Sequence, residues 1–195
     1  MKVYLIRHGE TEENLKKTYY GDMDCGITDV GIKQAQKLNG VLKNIKFDKV
    51  FCSEKLRAKQ TLQEIYPGEY EIDKRINERN FGIFEGKTYK EIQLTNNKEY
   101  DQWINDWKSY PIYGGESFAQ FYLRVKDFME ELKSQSYEYV LISTHGGVMG
   151  AIYTYIMDEN LDLYWKFSTR NGDLSIINCD DGYFYIDSII NMSLF

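Results

Sequence analysis

Proline is scarce in this chain, at 2 of 195 residues, and the sequence contains no internal repeat or low-complexity segment. A long Pro-rich linker between domains is therefore excluded. No apolar run approaches the ~20 residues that a membrane-spanning helix needs. The polar stretch from Arg7 to Glu13 leaves no apolar core for an N-terminal signal sequence. These absences predict a single domain over residues 1–195, located in the cytoplasm and without a membrane partner.

Cysteine and positive charge are also limited. The three cysteines, Cys25, Cys52 and Cys179, are odd in number and match no metal-binding spacing, so we expect reduced thiols. The 24 basic residues are outnumbered by 30 acidic ones, which gives a net charge of −6. This balance argues against nucleic acid as a partner. An anion-binding site must therefore be a local concentration of arginine and lysine. The sequence is compatible with an oligomer but gives no indication of its state.

Only two histidines are present, and they share one pattern. His8 follows the apolar run Val3–Ile6 and Arg7, His145 follows the run Tyr139–Ser143, and a glycine comes after each. Short apolar runs of this kind are typical of buried parallel strands. A lone histidine is more often a satisfied core or surface residue. Two histidines at strand ends, where ligands bind in open α/β sheets, favour one shared functional site.

Strands alternate with helices as far as residue 160, which predicts an α/β fold: a three-layer α/β/α sandwich with a mostly parallel central sheet. After residue 160, Asp173–Cys179 and Tyr183–Ile189 flank the turn Asp180-Asp181-Gly182 and predict a hairpin. Residues 9–26 are predicted to be a polar loop. The predicted strands are 2–7, 48–53, 69–73 and 139–143, and the predicted helices are 29–44, 54–66, 118–135 and 147–157.

An arginine follows the second predicted strand at a position that suits an anion. Ser53 is expected to cap the helix that begins there, and Arg57, about one turn later, would face the same side. A guanidinium at a helix start beside a strand end suits phosphate. The alternative is a surface arginine paired with Glu54 or Glu64.

Two carboxylates are candidates for acid–base chemistry. Glu78 and Glu85 border the apolar residues Phe81, Ile83 and Phe84. Apolar neighbours favour the protonated carboxyl group that a general acid needs. Arg79 is also close in sequence, so composition leaves both glutamates open.

The segment Arg7-His8-Gly9-Glu10-Thr11, followed by Asn14, resembles the signature of the histidine phosphatase superfamily, the phosphoglycerate mutase-like proteins. The resemblance extends in order along nearly the whole chain, through residues 21–31, 53–61, 78–86, 114–117 and 144–147. It implies the phosphoglycerate mutase-like fold and phosphoryl transfer through a phosphohistidine. Small bacterial members include α-ribazole phosphate phosphatases and phosphatases of sugar phosphates or phosphoglycerate.

The resemblance also implies a role for each matching residue. His8 would be phosphorylated, and Glu78, rather than Glu85, would be the general acid and base. Glu85 would then have a structural role, such as capping a helix near Lys87-Thr88. The implied catalytic set is His8, Glu78, Arg7, Arg57 and His145. The implied phosphate- and substrate-binding set is Arg7, Asn14, Gly21, Arg57, His145 and Gly146. The implied partner is a small-molecule phosphomonoester, with no metal and no cofactor.

Three other functions remain open from the residues. His8, His145 and Glu78 could form a two-histidine, one-carboxylate metal site, although the positive charges of Arg7 and Arg57 argue against it. A phosphoglycerate mutase would need additional basic residues; the position where mutases carry a lysine falls on Tyr89, and no Arg-Arg pair occurs. A non-catalytic module that binds phosphometabolites or phosphoproteins is the third alternative. The main prediction is a phosphomonoester hydrolase.

Residues 87–113 match none of these segments and are expected to form a helical insertion. Trp103, Trp107 and Tyr110 keep helical spacing. They could pack on the body of the protein, or they could belong to a lid that contacts the non-phosphate part of the substrate.

Overall fold

The computed structural model describes residues 1–194, which contain eight strands. The strands are β1 (Lys2–Arg7), β2 (Thr18–Tyr19), β3 (Lys49–Cys52), β4 (Glu71–Ile72), β5 (Lys87–Thr88), β6 (Tyr139–Thr144), β7 (Leu174–Asp180) and β8 (Tyr183–Ile190). Six of them form the central sheet in the order β4-β3-β6-β1-β7-β8, and β2 pairs with β5. The pairs β4–β3, β3–β6 and β6–β1 are parallel, whereas β7 and β8 add an antiparallel hairpin. The predicted mostly parallel sheet and its final hairpin are confirmed.

Helices cover both faces of this sheet. The helices are α1 (Glu12–Lys16), α2 (Asp29–Leu42), α3 (Leu56–Gln63), α4 (Tyr89–Thr95), α5 (Asn97–Asn105), α6 (Phe118–Lys133) and α7 (Gly146–Ile156). The side chains of β1 alternate between two cores, as a strand's period of two requires. Val3 and Leu5 pack with α6 and α7, and Tyr4 and Ile6 pack with α2 and α3. The three-layer α/β/α arrangement is therefore confirmed. None of the helices within residues 1–194 has the length and apolar character that crossing a membrane would require.

Capping side chains explain why the starts of α2 and α6 were predicted correctly. The Thr28 hydroxyl accepts from the Gly31 amide at the start of α2, and Ser117 forms a capping box with Gln120 at the start of α6. Capping side chains satisfy N–H groups that a helix leaves without partners. The same chemistry corrects one prediction, because Thr11 and Asn14 form a capping box that begins α1 inside the predicted loop.

Two predicted caps are wrong. Helix α3 begins at Leu56 after Lys55, without a side-chain cap. The Ser53 hydroxyl accepts from the Lys55 amide, which precedes the helix, lies 2.7 Å from His145 Nε2 and donates to Asn77. Helix α4 is capped by Thr88, not by Glu85. The Glu85 carboxylate accepts from a set of loop amides, those of Gly21, Asp22, Met23 and Phe81.

The segment 87–113 is helical only in part, since α5 ends at Asn105 and both Trp107 and Tyr110 lie beyond it. Trp103 is buried against Phe84 and Ile92 in a small separate core, which agrees with the packing interpretation of that residue. A single domain and a lid role for 87–113 remain predictions.

Candidate active site

His8 and His145 lie at the carboxyl ends of the adjacent strands β1 and β6. Arg7 is in register with Thr144, and the His8 amide continues the ladder by donating to the Thr144 carbonyl at 2.9 Å. The two imidazole rings are consequently neighbours, with ring centroids 5.2 Å apart. Parallel pairing of two strands that are far apart in sequence thus creates the site.

The His8 ring is held with one nitrogen available. Its Nδ1 lies 2.7 Å from the carbonyl oxygen of Gly9, and because a carbonyl can only accept, Nδ1 must carry the proton. The lone pair of a neutral ring is then on Nε2. Burial, followed by the positive charges of Arg57 and Arg7, lowers the pKa of His8 well below its usual value. The ring is therefore neutral, the state in which Nε2 can act as a nucleophile.

His145 is buried in a hydrogen-bond chain that fixes its tautomer. Arg57 Nε donates to His145 Nδ1 at 3.2 Å, so Nε2 carries the proton and donates to the Ser53 hydroxyl at 2.7 Å. Ser53 donates to Asn77 Oδ1, and Asn77 Nδ2 donates to Glu54. Burial and the charge of Arg57 lower the pKa of His145 well below its usual value. Both histidines are therefore neutral in the free protein.

Arg57 is fully buried between the strand ends and the loop that precedes α2. Besides the bond to His145, its Nη1 donates to the Met23 carbonyl at 3.0 Å and its Nη2 to the Gly21 carbonyl at 2.8 Å. The guanidinium also lies 4.7 Å from the ring centroid of Tyr20. Five N–H groups are available on arginine, so one on each terminal nitrogen remains for a ligand.

Arg7 contributes a second guanidinium to the same place. Its Nη1 donates to the Thr169 carbonyl at 2.6 Å, while its buried Nε has no hydrogen-bond partner among residues 1–194. Buried polar groups in folded proteins are nearly always paired. An unpaired N–H in the company of Arg57 and two neutral histidines indicates a position built for an anion.

Glu78 reaches the site from the segment after β4. Its Oε1 accepts from the Arg79 amide at 2.9 Å, and its Oε2 accepts from the Gly147 amide at 2.9 Å. The carboxylate lines a cavity of about 290 Å³ together with Arg7. Phe81 and Phe84 belong to the separate core instead, so the expectation that they surround the carboxyl group is wrong. Its immediate contacts are two backbone N–H groups, that of the next residue, Arg79, and that of Gly147 at the start of α7.

A Gly147→Ala substitution tests this close approach. A Cβ at position 147 would lie 2.9 Å from Glu78 Cδ and still closer to Oε1, so the carboxylate must leave its position. Alanine is otherwise favourable in a helix. We expect kcat/KM for an alkyl phosphate to fall about 100-fold, the contribution of a displaced general acid, with little change in the unfolding temperature.

Gly40→Ala is the matched control, because a Cβ there meets no heavy atom within 4 Å and the residue also lies inside a helix. This variant should keep full activity and gain about 0.5–1 kcal/mol of stability. Equal activity in the two variants would contradict the placement of Glu78.

The remaining predicted residues lie around this centre in different ways. Asn14 Oδ1 accepts from Asn171 Nδ2, and a contact between the Asn14 amide group and phosphate stays a prediction. The Gly21 carbonyl accepts from Arg57, but its amide donates to Glu85, so a contact between that amide and phosphate stays a prediction. At Gly146, a Cβ would lie 3.2 Å from Arg7 Cζ, and the glycine gives the guanidinium room.

Sequence reasoning missed two supporting residues. Asn171 Nδ2 donates to the His8 carbonyl at 3.1 Å as well as to Asn14, and it precedes Gly172, whose φ is +78°. An Asn-Gly pair before a strand is a turn signal that could have drawn attention to it. Arg124 donates to the carbonyls of Asn77 and Glu78. Its position on α6 gave no signal, because amphipathic spacing explains that helix without it.

Comparison with known proteins agrees with this geometry. The family profile of the histidine phosphatase superfamily (branch 1) matches residues 3–191. The chain is 31% identical over 187 residues to adenosylcobalamin/alpha-ribazole phosphatase of Escherichia coli, covering 94% of this chain and 92% of that protein. It is 29% identical over 185 residues to phosphoserine phosphatase 1 of Hydrogenobacter thermophilus, covering 93% and 88%.

Comparison with a solved structure also indicates a phosphatase of this family. The chain superimposes on the alpha-ribazole phosphatase of Shigella flexneri with a TM-score of 0.93 and 30% identity, covering 98% of this chain and 97% of that one. These relatives are phosphatases, so the predicted class of enzyme, a hydrolase with a phosphoglycerate mutase-like fold, is confirmed. The chain belongs to the histidine phosphatase superfamily (branch 1).

Proposed function

We propose that the protein hydrolyses a small phosphomonoester through a phosphohistidine formed on His8. The observation that carries this proposal is the buried neutral His8 ring, with its Nε2 lone pair available, beside two guanidinium groups that retain free N–H donors. A phosphoryl group is the ligand that two arginines in a net acidic protein suit best. The same positive charges repel a metal ion, and no metal is expected to take part.

The first step transfers the phosphoryl group to His8. Nε2 attacks phosphorus as the bond to the leaving oxygen breaks, while Arg7 and Arg57 balance the charge on the three remaining oxygens. Glu78, entering as the carboxylic acid, gives its proton to the leaving oxygen and the alcohol departs. Its two backbone N–H contacts fix the direction of the carboxyl group during this transfer.

The second step returns the enzyme to its starting state. A water molecule attacks phosphorus, the P–N bond breaks, and Glu78, now a carboxylate, takes the proton from the water. The negative charge of the phosphoryl group favours protonation of its neighbour His145. His145 can then donate from Nδ1 to a phosphoryl oxygen in place of accepting from Arg57.

Phosphate release by the purified protein tests the proposal. We expect hydrolysis of an aryl phosphate and of several metabolite phosphates, unchanged by EDTA. Interconversion of 2- and 3-phosphoglycerate without phosphate release would make the protein a mutase, and phosphate binding without any turnover would make it a binding module.

The cytoplasmic location expected from the sequence stays a prediction.

An Arg57→Lys substitution tests the fork of hydrogen bonds. Lysine keeps the charge but has a single nitrogen, which cannot contact His145, Met23 and Gly21 together as Arg57 does. We expect kcat/KM to fall about 100-fold, as for loss of one preorganised donor to a developing charge. Steady-state kinetics measure this loss, and thermal unfolding measures whether the variant remains folded.

Arg75→Lys is the control, since Arg75 makes ion pairs with Asp73, Asp127 and Glu131 away from the histidines. It should lose no activity. Unchanged turnover in Arg57→Lys would remove Arg57 from the reaction.

A further inference from the structure

Arg124, on α6, uses all of its hydrogen-bonding capacity inside the protein. An arginine side chain has five N–H groups, and each of these five has an acceptor within 3.1 Å. Three of the acceptors are backbone carbonyls, those of Arg75, Asn77 and Glu78. The other two are the carboxylate oxygens of Glu116. No N–H group remains for a substrate, so Arg124 can affect the reaction only through the residues that it holds.

The carbonyls that Arg124 holds belong to the segment that carries the predicted general acid. After the short helical turn Lys74–Ile76, the chain passes through Glu78 outside any helix or strand. The four successive carbonyls of residues 75–78 accept from side chains: that of Ile76 from Thr144 Oγ1 at 2.7 Å, and the other three from Arg124. A segment without a regular backbone ladder depends on such side chains to satisfy its carbonyls. Two anchors, one on β6 and one on α6, therefore fix the backbone at Glu78.

Glu116 connects this anchor to the chain beyond Glu78. Its Oε1 accepts from the Asn80 amide at 2.9 Å as well as from Arg124 at 2.6 Å, and its own amide donates to the Asn80 carbonyl at 3.0 Å. The guanidinium of Arg79 donates to the Glu116 carbonyl from Nε at 3.2 Å and from Nη2 at 3.1 Å. The backbone is thus held on both sides of Glu78.

Arg124 is not the only source of positive charge near Glu78. The charges of Arg79 and Arg7 both act on the Glu78 carboxylate, and Arg79 is buried beside it. Removing Arg124 therefore leaves two cations close to the acid. The contribution that Arg124 alone makes is geometric, since it attaches three consecutive or nearly consecutive carbonyls to one helix.

The helix that carries Arg124 is a rigid support. Its neighbours Phe121 and Val125 are completely buried in the main core, and the guanidinium lies 4.8 Å from the Phe121 ring centroid. A general acid works only within hydrogen-bond reach of the oxygen that it protonates. A misplacement of about 1 Å, even from a change far from the chemistry, can cost about 100-fold in rate. The position of α6 is thus passed to the carboxyl group of Glu78.

We propose that Arg124 is a positioning residue, which ties the backbone around Glu78 to α6 and so keeps the carboxyl group within reach of the leaving oxygen. This inference rests on the proposed hydrolysis, with His8 as nucleophile and Glu78 as general acid, and adds how the acid is held in place. Loss of Arg124 should weaken proton donation to the leaving group and spare the phosphoryl site formed by His8, Arg7 and Arg57.

The experiment compares two leaving groups in Arg124→Ala. One substrate is p-nitrophenyl phosphate, whose leaving group needs little protonation, so its turnover reports on folding and on the phosphoryl site. The other is the alkyl phosphate that the native protein hydrolyses fastest in the metabolite panel. We expect kcat/KM for the alkyl ester to fall about 100-fold, mainly through kcat, and that for the aryl ester to fall less than about tenfold.

Arg124→Lys separates charge from geometry. Lysine keeps the positive charge, but its single nitrogen cannot serve three carbonyls and the Glu116 carboxylate together. We expect about a tenfold loss on the alkyl ester, between the native protein and Arg124→Ala, with a smaller loss on the aryl ester. Full activity on both esters would show that charge alone is needed and would overturn the positioning role. This variant also decides the question if Arg124→Ala does not fold.

Lys126→Ala is the matched control for loss of a cation from the same helix. Lys126 pairs with the exposed Glu159 at 2.6 Å, away from the histidines. Both activities of this variant should equal those of the native protein.

A double variant tests whether Arg124 acts through Glu78. Losses from independent residues multiply, whereas losses from residues that act as a unit do not. Arg124→Ala combined with Glu78→Gln should therefore match Glu78→Gln alone on the alkyl ester, within about twofold. Losses that multiply would overturn the proposed route through Glu78.

The outcomes separate the two proposals. Equal losses on the alkyl and aryl esters in Arg124→Ala and Arg124→Lys would show a general structural role, which overturns this inference and leaves the proposed hydrolysis standing. Failure of the native protein to hydrolyse any ester would overturn the hydrolysis and this inference with it.

Discussion

Replacing His8 by alanine should lower phosphate release about 10⁴-fold or more, the largest effect of any single substitution in this chain. Loss of a covalent nucleophile removes the intermediate itself, and effects of that size follow when such a group is deleted. In the native protein a radiolabelled substrate should leave an acid-labile phosphoryl label on the chain. The variant should show no label.

The variant must still fold for this result to count. His8 is buried, but Arg7 and Arg57 remain beside the space it leaves, so inorganic phosphate should still raise the unfolding temperature of His8→Ala. Phosphate binding with no label and no turnover would assign the chemistry to His8. Substantial hydrolysis by the variant would show that another group, or water directly, attacks phosphorus.

Glu78→Gln should lower kcat/KM for alkyl phosphates by about 10²–10³-fold and for p-nitrophenyl phosphate by less than tenfold. General acid catalysis contributes most where the leaving group is a poor one, and p-nitrophenolate departs with little help. Glutamine has nearly the same shape and keeps one of the two hydrogen bonds, because its amide oxygen can accept from the Arg79 or the Gly147 amide but its NH₂ group cannot accept from the other.

Glu91→Gln provides the control for this charge change. Glu91 closes a capping box with Thr88 at the exposed start of α4, and glutamine serves in such a box as well as glutamate does. Its activity should equal that of the native protein on both substrates. An equal loss on both substrates in Glu78→Gln would mean that Glu78 positions the substrate and donates no proton to the leaving group.

The sequence predicted the location of the site because its main determinants are local. Apolar runs end at Arg7-His8-Gly9 and at His145-Gly146, and a parallel sheet brings such ends to one edge. The structure adds that β1 and β6 are parallel neighbours, and this pairing makes the two histidines adjacent. The helices α2 and α6 were also predicted from local sequence, each from a capping residue followed by an apolar stripe.

The sequence could not predict side-chain partners that depend on distant segments. Ser53 was expected to cap a helix, but folding brings its hydroxyl to His145, a residue 92 positions later, and to Asn77, to which it donates. Neighbours in sequence likewise suggested apolar surroundings for Glu78, whereas its contacts are the amides of Arg79 and Gly147. Local patterns predict elements, and the choice among competing hydrogen-bond partners is made by tertiary structure.

The unpaired Nε of Arg7 has a thermodynamic consequence. A folded protein that holds uncompensated positive charge around an anion site is stabilised by whatever tetrahedral anion fills it, by about 2.7 kcal/mol when that anion is at 100 times its dissociation constant. Inorganic phosphate is such an anion and is also the product of the proposed reaction. Accumulated product would therefore protect the folded enzyme and compete with its substrate, so that resistance to unfolding and rate of turnover respond in opposite directions to the same phosphate pool.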